Sequence, residues 1–141
     1  MTDRNRWLRG ALVLLAVPNL LAGLWAVLAP TNWFDKFPGW APYLVAAHPP
    51  FNEHLVTDAG AGLLATGLVA LIAAIRFRRD VVVTAMVGYL AMAVPHAFFH
   101  LVNPAPRAAV SFGENALSTA ELIAAAVIGL VVLLSYRRIP T

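Results

Sequence analysis

Four long apolar runs fill this chain of 141 residues and leave little sequence between them. A bilayer core about 30 Å thick is crossed by roughly 20 apolar residues in a helix. Runs of about this length lie at residues 7–29, 55–75, 81–102 and 116–136. The sequence therefore predicts an all-α fold, a bundle of four transmembrane helices, in which residues 1–141 form a single integral membrane domain.

The composition supports this class and excludes several others. Hydrophobic residues make up 60% of the chain and charged residues 12%, whereas about a quarter of a soluble domain is charged. Cysteine is absent, which excludes disulfides, thiolate metal sites and dithiol redox chemistry. No basic run with interleaved aromatic residues is present, so we expect a lipid bilayer as partner and no nucleic acid.

The basic residues predict the orientation in the membrane. Two of the ten, Lys36 and Arg107, lie at one end of the apolar runs, and the other eight, all arginines, lie at the opposite end. By the positive-inside rule, both termini are cytoplasmic in a bacterial plasma membrane. The loops at about residues 30–50 and 103–112 are then extracytoplasmic, and the second and third spans form a tight antiparallel hairpin.

The loop between the first and second spans is rich in aromatic residues and proline. Because aromatic rings favour the headgroup level, this loop is predicted to lie along the outer surface as a cap over the bundle, with a short interfacial helix. Its aromatic residues are Trp33, Phe34, Phe37, Trp40 and Tyr43, among Pro30, Pro38, Pro42 and Pro49.

All four histidines and most of the acids lie at the end opposite to the arginines. An ionisable residue inside a membrane is costly and is by default a candidate for function. A spacing of four places His54 with Asp58, and His96 with His100, on one face of each helix. An antiparallel hairpin brings both pairs to a similar depth, where Glu121 also falls. The predicted metal ligands are His54, Asp58, His96, His100 and Glu121.

Imidazole and carboxylate groups on facing helices hold iron, zinc, manganese or copper in helix bundles. Pro95 bends the third span just before the histidine pair and helps to aim it inward. Glu53 is assigned as a catalytic proton carrier or as a group behind the ligands. If the site is catalytic, metal-assisted oxidation or hydrolysis of a lipid-soluble substrate under the cap suits it; a protein that binds metal without catalysis stays an alternative.

Structural interpretations compete at most of these positions. His48 in the proline-rich loop is interpreted as a solvated side chain, and Asp58 has a plain salt bridge to His54 as its alternative. Glu53 has an alternative role in stabilising the start of a helix after an Asn52 cap. The spacing of Ser111 and Glu114 is typical of a capping box. Asn19 beside Pro18 indicates a kink with an interhelical hydrogen bond.

Three other functions remain open from the sequence. The first is a metal-free protein that binds a small cationic or lipidic ligand, since acids outnumber bases at the histidine-bearing end. The second is a haem protein with two axial histidines, for example His54 with His96 or His100. The third is a structural or accessory subunit. A proton-coupled exporter is disfavoured, because its acid has to be reached alternately from both sides.

Three segments carry a resemblance. They are residues 34–39, residues 52–60 with the pattern N-E-H-L-V-x-D-x-G, and residues 95–100 with the pattern P-H-x-x-x-H. Together they resemble a group of small, uncharacterised bacterial four-helix membrane proteins found especially in actinobacteria, over nearly the whole chain. A looser similarity to DoxX-like four-helix membrane proteins rests on size and span count. The resemblance implies a four-helix membrane fold and an unassigned activity.

Overall fold

The computed structural model describes residues 3–137, and they form five helices and no strand. The predicted all-α fold is confirmed. The long helices are α1 (Asp3–Leu28), α3 (Glu53–Arg76), α4 (Arg79–Val102) and α5 (Phe112–Arg137), and the short helix α2 (Pro30–Lys36) lies in the cap. All four long helices are long and apolar enough to cross a membrane. The chain is therefore an integral membrane protein with four candidate spans.

The two ends of the bundle differ in chemistry. We call the end that carries Arg9, Arg76 and Arg79 the arginine end, and the end that carries His54 and His100 the histidine end. Phe77 ends α3 in a left-handed conformation, with φ 46°, and its N–H donates to the Ala73 carbonyl. Only Phe77 and Arg78 separate α3 from α4, so the predicted tight hairpin is confirmed.

The helices pack as two close pairs, α1 with α3 and α4 with α5. Glycines in α1 and α3 allow the first pair to approach closely. A Cβ atom on Gly23 would lie 2.5 Å from the Leu64 nitrogen, and one on Gly60 would lie 2.7 Å from the Ala26 Cβ. Small residues at such a contact let two helix backbones pack directly on each other, which is a main source of helix association in lipid.

The largest buried cluster joins all four long helices in the half of the bundle near the arginine end. Its residues include Leu8 and Leu12 of α1, Ala70 and Ala73 of α3, Val82 and Met86 of α4, and Val132 of α5. At the same end, the Arg9 guanidinium lies 4.5 Å from the centre of the Phe77 ring. The four helices are thus held together mainly at the arginine end.

The cap at the histidine end is a packed structure, as predicted. Trp33 and Phe34 of α2 are buried against Ala26 of α1 and Val56 of α3. The Trp25 indole N–H donates to the Asn32 side chain at 2.9 Å. The cap therefore belongs to the α1–α3 pair, which it covers with aromatic side chains.

The close contact between α1 and α3 makes a stability prediction. Gly23→Ala places a methyl group against the backbone of Leu64, which has no flexible atom to move aside, so we expect a loss of about 1–3 kcal/mol in the free energy of unfolding. Gly62→Ala is the matched control, because a Cβ atom there meets nothing within 4 Å. Denaturation in mild detergent measures both. Equal stability of the two variants would show that the glycine contact is dispensable.

Candidate functional site

Three histidines meet at the histidine end, and we call them the histidine cluster. His96 and His100 lie one turn apart near the end of α4, and their rings stack with centres 5.0 Å apart and an interplanar angle of 23°. His48 comes from the cap and meets the His100 ring edge to face, with centres 5.6 Å apart. The cluster therefore joins the cap to α4.

The position of His48 follows from the packing of two loops. Ala47, the residue before it, is buried against Ala105 and Val110 of the loop between α4 and α5. The His48 N–H donates to the Val45 carbonyl at 2.9 Å. This loop contact brings the end of the cap over the last turn of α4.

Asn115 of α5 holds the loop between α4 and α5 in place through hydrogen bonds. Its amide group donates to the carbonyls of Ala105 and Val110, at 3.1 and 3.2 Å, and accepts from the Ala105 N–H at 3.0 Å. The predicted capping box of Ser111 and Glu114 forms beside it, with reciprocal bonds of 2.9 and 3.3 Å. The sequence analysis did not single out Asn115, although an amide side chain at the start of an apolar span indicates hydrogen bonds to a neighbouring segment.

His54 and Asp58 form a second, separate pair. The His54 Nε2 lies 3.4 Å from an Asp58 carboxylate oxygen, and the two side chains are 82% and 63% exposed. The Asn52 side chain accepts from the Leu55 N–H at 3.1 Å, so Asn52 caps α3. Glu53 is the first residue of the helix and is exposed, where its charge favours the positive helix end. This placement matches its structural interpretation.

Each long helix carries one polar residue at a common depth: Asn19, Asp58, His96 and Glu121. Each lies 16–18 residues from the arginine end of its helix, which is about 24–27 Å along the axis. The four residues lie at a similar depth, but they do not form one site. The Asn19 amide donates to the Leu15 carbonyl of its own helix at 2.8 Å and lies within hydrogen-bonding reach of the Tyr89 hydroxyl. The hydrogen bond lies within α1, and the Tyr89 hydroxyl of α4 is the neighbour of the amide on the facing helix.

The structure brings the predicted ligands together only in part. His54 meets Asp58 and His96 meets His100, but the two pairs do not join into one group. Glu121 was expected to face the bundle interior; instead its side chain is exposed, because α5 packs closely against α4 and only loosely against α1. Among residues 3–137, no three His, Asp or Glu side chains are arranged to hold one metal ion.

His48 is the cluster member that sequence reasoning set aside. A lone histidine between prolines in a loop has no helical periodicity to assign it a neighbour. The length of the loop could have indicated its contact, because a cap that crosses the bundle has to end near another helix.

Comparison of the chain with family models, with characterised proteins and with solved structures finds no match. The resemblance to small actinobacterial membrane proteins therefore stays a prediction.

The Asn115 contacts predict a measurable change in the loop between α4 and α5. Asn115→Ala removes three hydrogen bonds, each of which contributes about 0.5–1.5 kcal/mol, so we expect tryptic cleavage after Arg107 to accelerate by at least about tenfold in detergent. Ser118→Ala is the control, because the Ser118 hydroxyl bonds only to the Asn115 carbonyl of its own helix. Unchanged cleavage in Asn115→Ala would mean that the loop is held by other contacts.

Proposed function

We propose that this integral membrane protein binds a divalent transition-metal ion through the histidine cluster, on the extracytoplasmic side of a bacterial plasma membrane. One observation supports the proposal above the others: three imidazole rings from two separate elements meet at one place. Neutral imidazole is a ligand that suits zinc, copper, iron and nickel. The orientation rests on the arginines at the opposite end.

The distances between ring centres are close to those of imidazoles that share an ion, whereas the orientations of the rings are not. With metal–nitrogen bonds of about 2.0–2.1 Å, two imidazoles on one tetrahedral ion have ring centres about 5 Å apart. The spacings in the cluster are 5.0 and 5.6 Å. Stacked rings hold their nitrogens in nearly parallel planes, so binding requires rotation of one ring about its side-chain torsions. His96 is exposed, which leaves it free to rotate.

The other residues predicted as ligands have different roles in this proposal. Asp58 is engaged by His54, so we assign this pair a role near the metal rather than on it. Three imidazoles leave a coordination position for water or substrate, as in catalytic zinc sites. A hydrolytic or oxidative activity would use that position. Haem held by His54 with His96 or His100 stays a less favoured alternative, because His54 is engaged by Asp58.

Metal content tests the ligand set. In protein purified without a histidine tag, we expect His48→Ala, His96→Ala and His100→Ala each to lower Zn²⁺ affinity by about 10-fold to 100-fold or more. Elemental analysis of the purified protein and Zn²⁺ titration at one fixed pH measure the effect, since protons compete for imidazole. His54→Ala and Asp58→Asn are the matched controls and should retain the metal.

Each outcome of that comparison has a meaning. Loss of Zn²⁺ binding in Asp58→Asn or Glu121→Gln would favour the wider set of His54, Asp58, His96, His100 and Glu121. Unchanged binding in His48→Ala alone would remove the cap from the site. Stoichiometric Zn²⁺ in the variant lacking both His96 and His100 would rule out the proposal.

Orientation has its own test, which the absence of cysteine makes simple. A single cysteine in place of Lys36 or Arg107 should react with a membrane-impermeant thiol reagent added to intact cells, because the positive-inside rule places both residues outside. A cysteine in place of Arg76 should react only after the cells are opened. The reverse pattern would place the histidine cluster in the cytoplasm.

A further inference from the structure

A cleft lies between α3 and α4 near the middle of the bundle. Its volume is about 180 Å³, and its lining is Ala65, Thr66, Val69, Ala85, Gly88 and Tyr89. The polar groups of this lining already have partners, since the Thr66 hydroxyl donates to the Gly62 carbonyl at 2.7 Å and the Tyr89 hydroxyl has Asn19 in reach. The cleft therefore offers an apolar surface.

Beyond the cleft toward the histidine end, the helix faces that line it carry two polar residues, Asp58 on α3 and His96 on α4. On α3, Asp58 precedes Gly62, Ala65 and Val69 by 4, 7 and 11 positions, the spacing of one helix face. On α4, His96 follows Met92, Gly88 and Ala85 by 4, 8 and 11 positions, which also lie on one face.

Small or adaptable side chains lie on these two helix faces. A Cβ atom on Gly62 or Gly88 would meet nothing within 4 Å, so Gly88 leaves the cleft open and Gly62 leaves the α3 face beyond it open. Met92, between Gly88 and His96, is half-buried, and its unbranched thioether side chain adjusts its shape to a neighbouring group. An extended chain can therefore run from the cleft to the level of Asp58.

Depth decides which kind of ligand suits this arrangement. Asp58 and His96 lie about 8–10 Å from the midpoints of their helices, which is inside a hydrocarbon half-layer of about 15 Å. A phospholipid headgroup lies farther out than this. A small uncharged hydrogen-bonding group reaches this depth at lower cost, because desolvating a neutral group costs less than desolvating a charge.

We propose that the α3–α4 cleft binds a neutral, single-chain amphiphile, with its hydrocarbon chain against Gly88 and a hydroxyl group donating to the Asp58 carboxylate. Bilayer chains are as apolar as the cleft, so the chain alone gives little selectivity. A hydrogen bond from the hydroxyl to the Asp58 carboxylate, which also pairs with His54 at 3.4 Å, supplies the preference over bulk lipid. The site shares His96 with the proposed metal site but does not require a metal.

Photolabelling in vesicles of phosphatidylcholine tests this inference. A hexadecanol that carries a diazirine in its chain should label α3 and α4 beside the cleft, and the matched alkane probe without a hydroxyl should label them at least about fivefold less. Gly88→Leu should abolish labelling by the alcohol, because its side chain fills the cleft. Gly10→Leu is the matched control, since Gly10 also faces open space but lies at the arginine end.

The variants also distinguish the proposed amphiphile from other occupants of the cleft. Asp58→Leu should reduce alcohol labelling to the level of the alkane while Zn²⁺ binding is retained, so failure of this inference and failure of the metal proposal are distinguishable. Equal labelling by both probes would mean ordinary lipid contact and would overturn the proposal. Loss of a dimer in Gly88→Leu would show that a helix of a second copy fills the cleft, which would also overturn it.

Discussion

The rest of the structure depends on the backbone contact between α1 and α3. Gly23 and Gly60 let the two helices touch without intervening side chains, and in lipid such close packing replaces the hydrophobic driving force that is absent there. The cap is anchored on this pair through Trp33 and Phe34. Because the cap connects the same two helices, their separation fixes where its far end, and with it His48, meets α4.

Packing is divided unevenly along the bundle. The large buried cluster near the arginine end includes residues of all four long helices, and the short turn at Phe77 holds α3 and α4 together there. At the histidine end, the loops carry the contacts between the two helix pairs through Ala47, Ala105 and Val110. The bundle is thus held together by helix packing at one end and by loop contacts at the other.

The histidine cluster lies at this boundary between the two helix pairs. His48 belongs to the cap of the α1–α3 pair, and His96 and His100 belong to the α4–α5 pair, so an ion held by all three would connect the two halves of the molecule. Under the proposed function, such an ion would stabilise the arrangement of the two helix pairs that brings the three histidines together, because whatever binds one arrangement more tightly stabilises it. The cleft between α3 and α4 lies on the same boundary.

The sequence by itself determined the class and the scaffold. Apolar runs of about 20 residues have few alternatives to membrane helices, so the four spans, the tight hairpin and the packed cap were all predictable. Local spacing also determined the pairs of His54 with Asp58 and His96 with His100, as well as the capping box at Ser111, because neighbours one turn apart depend only on helix geometry.

Only the tertiary structure decided which pairs meet. The two predicted pairs lie at similar depth but remain apart, Glu121 is exposed, and His48 joins His100 in place of His54. Depth along a helix follows from counting residues, whereas rotation about the helix axis follows from packing against neighbours. Here the packing of α5 on α4 leaves Glu121 exposed, and the loop contact at Ala47 places His48 against α4. The loop contact has no periodic signal in the sequence.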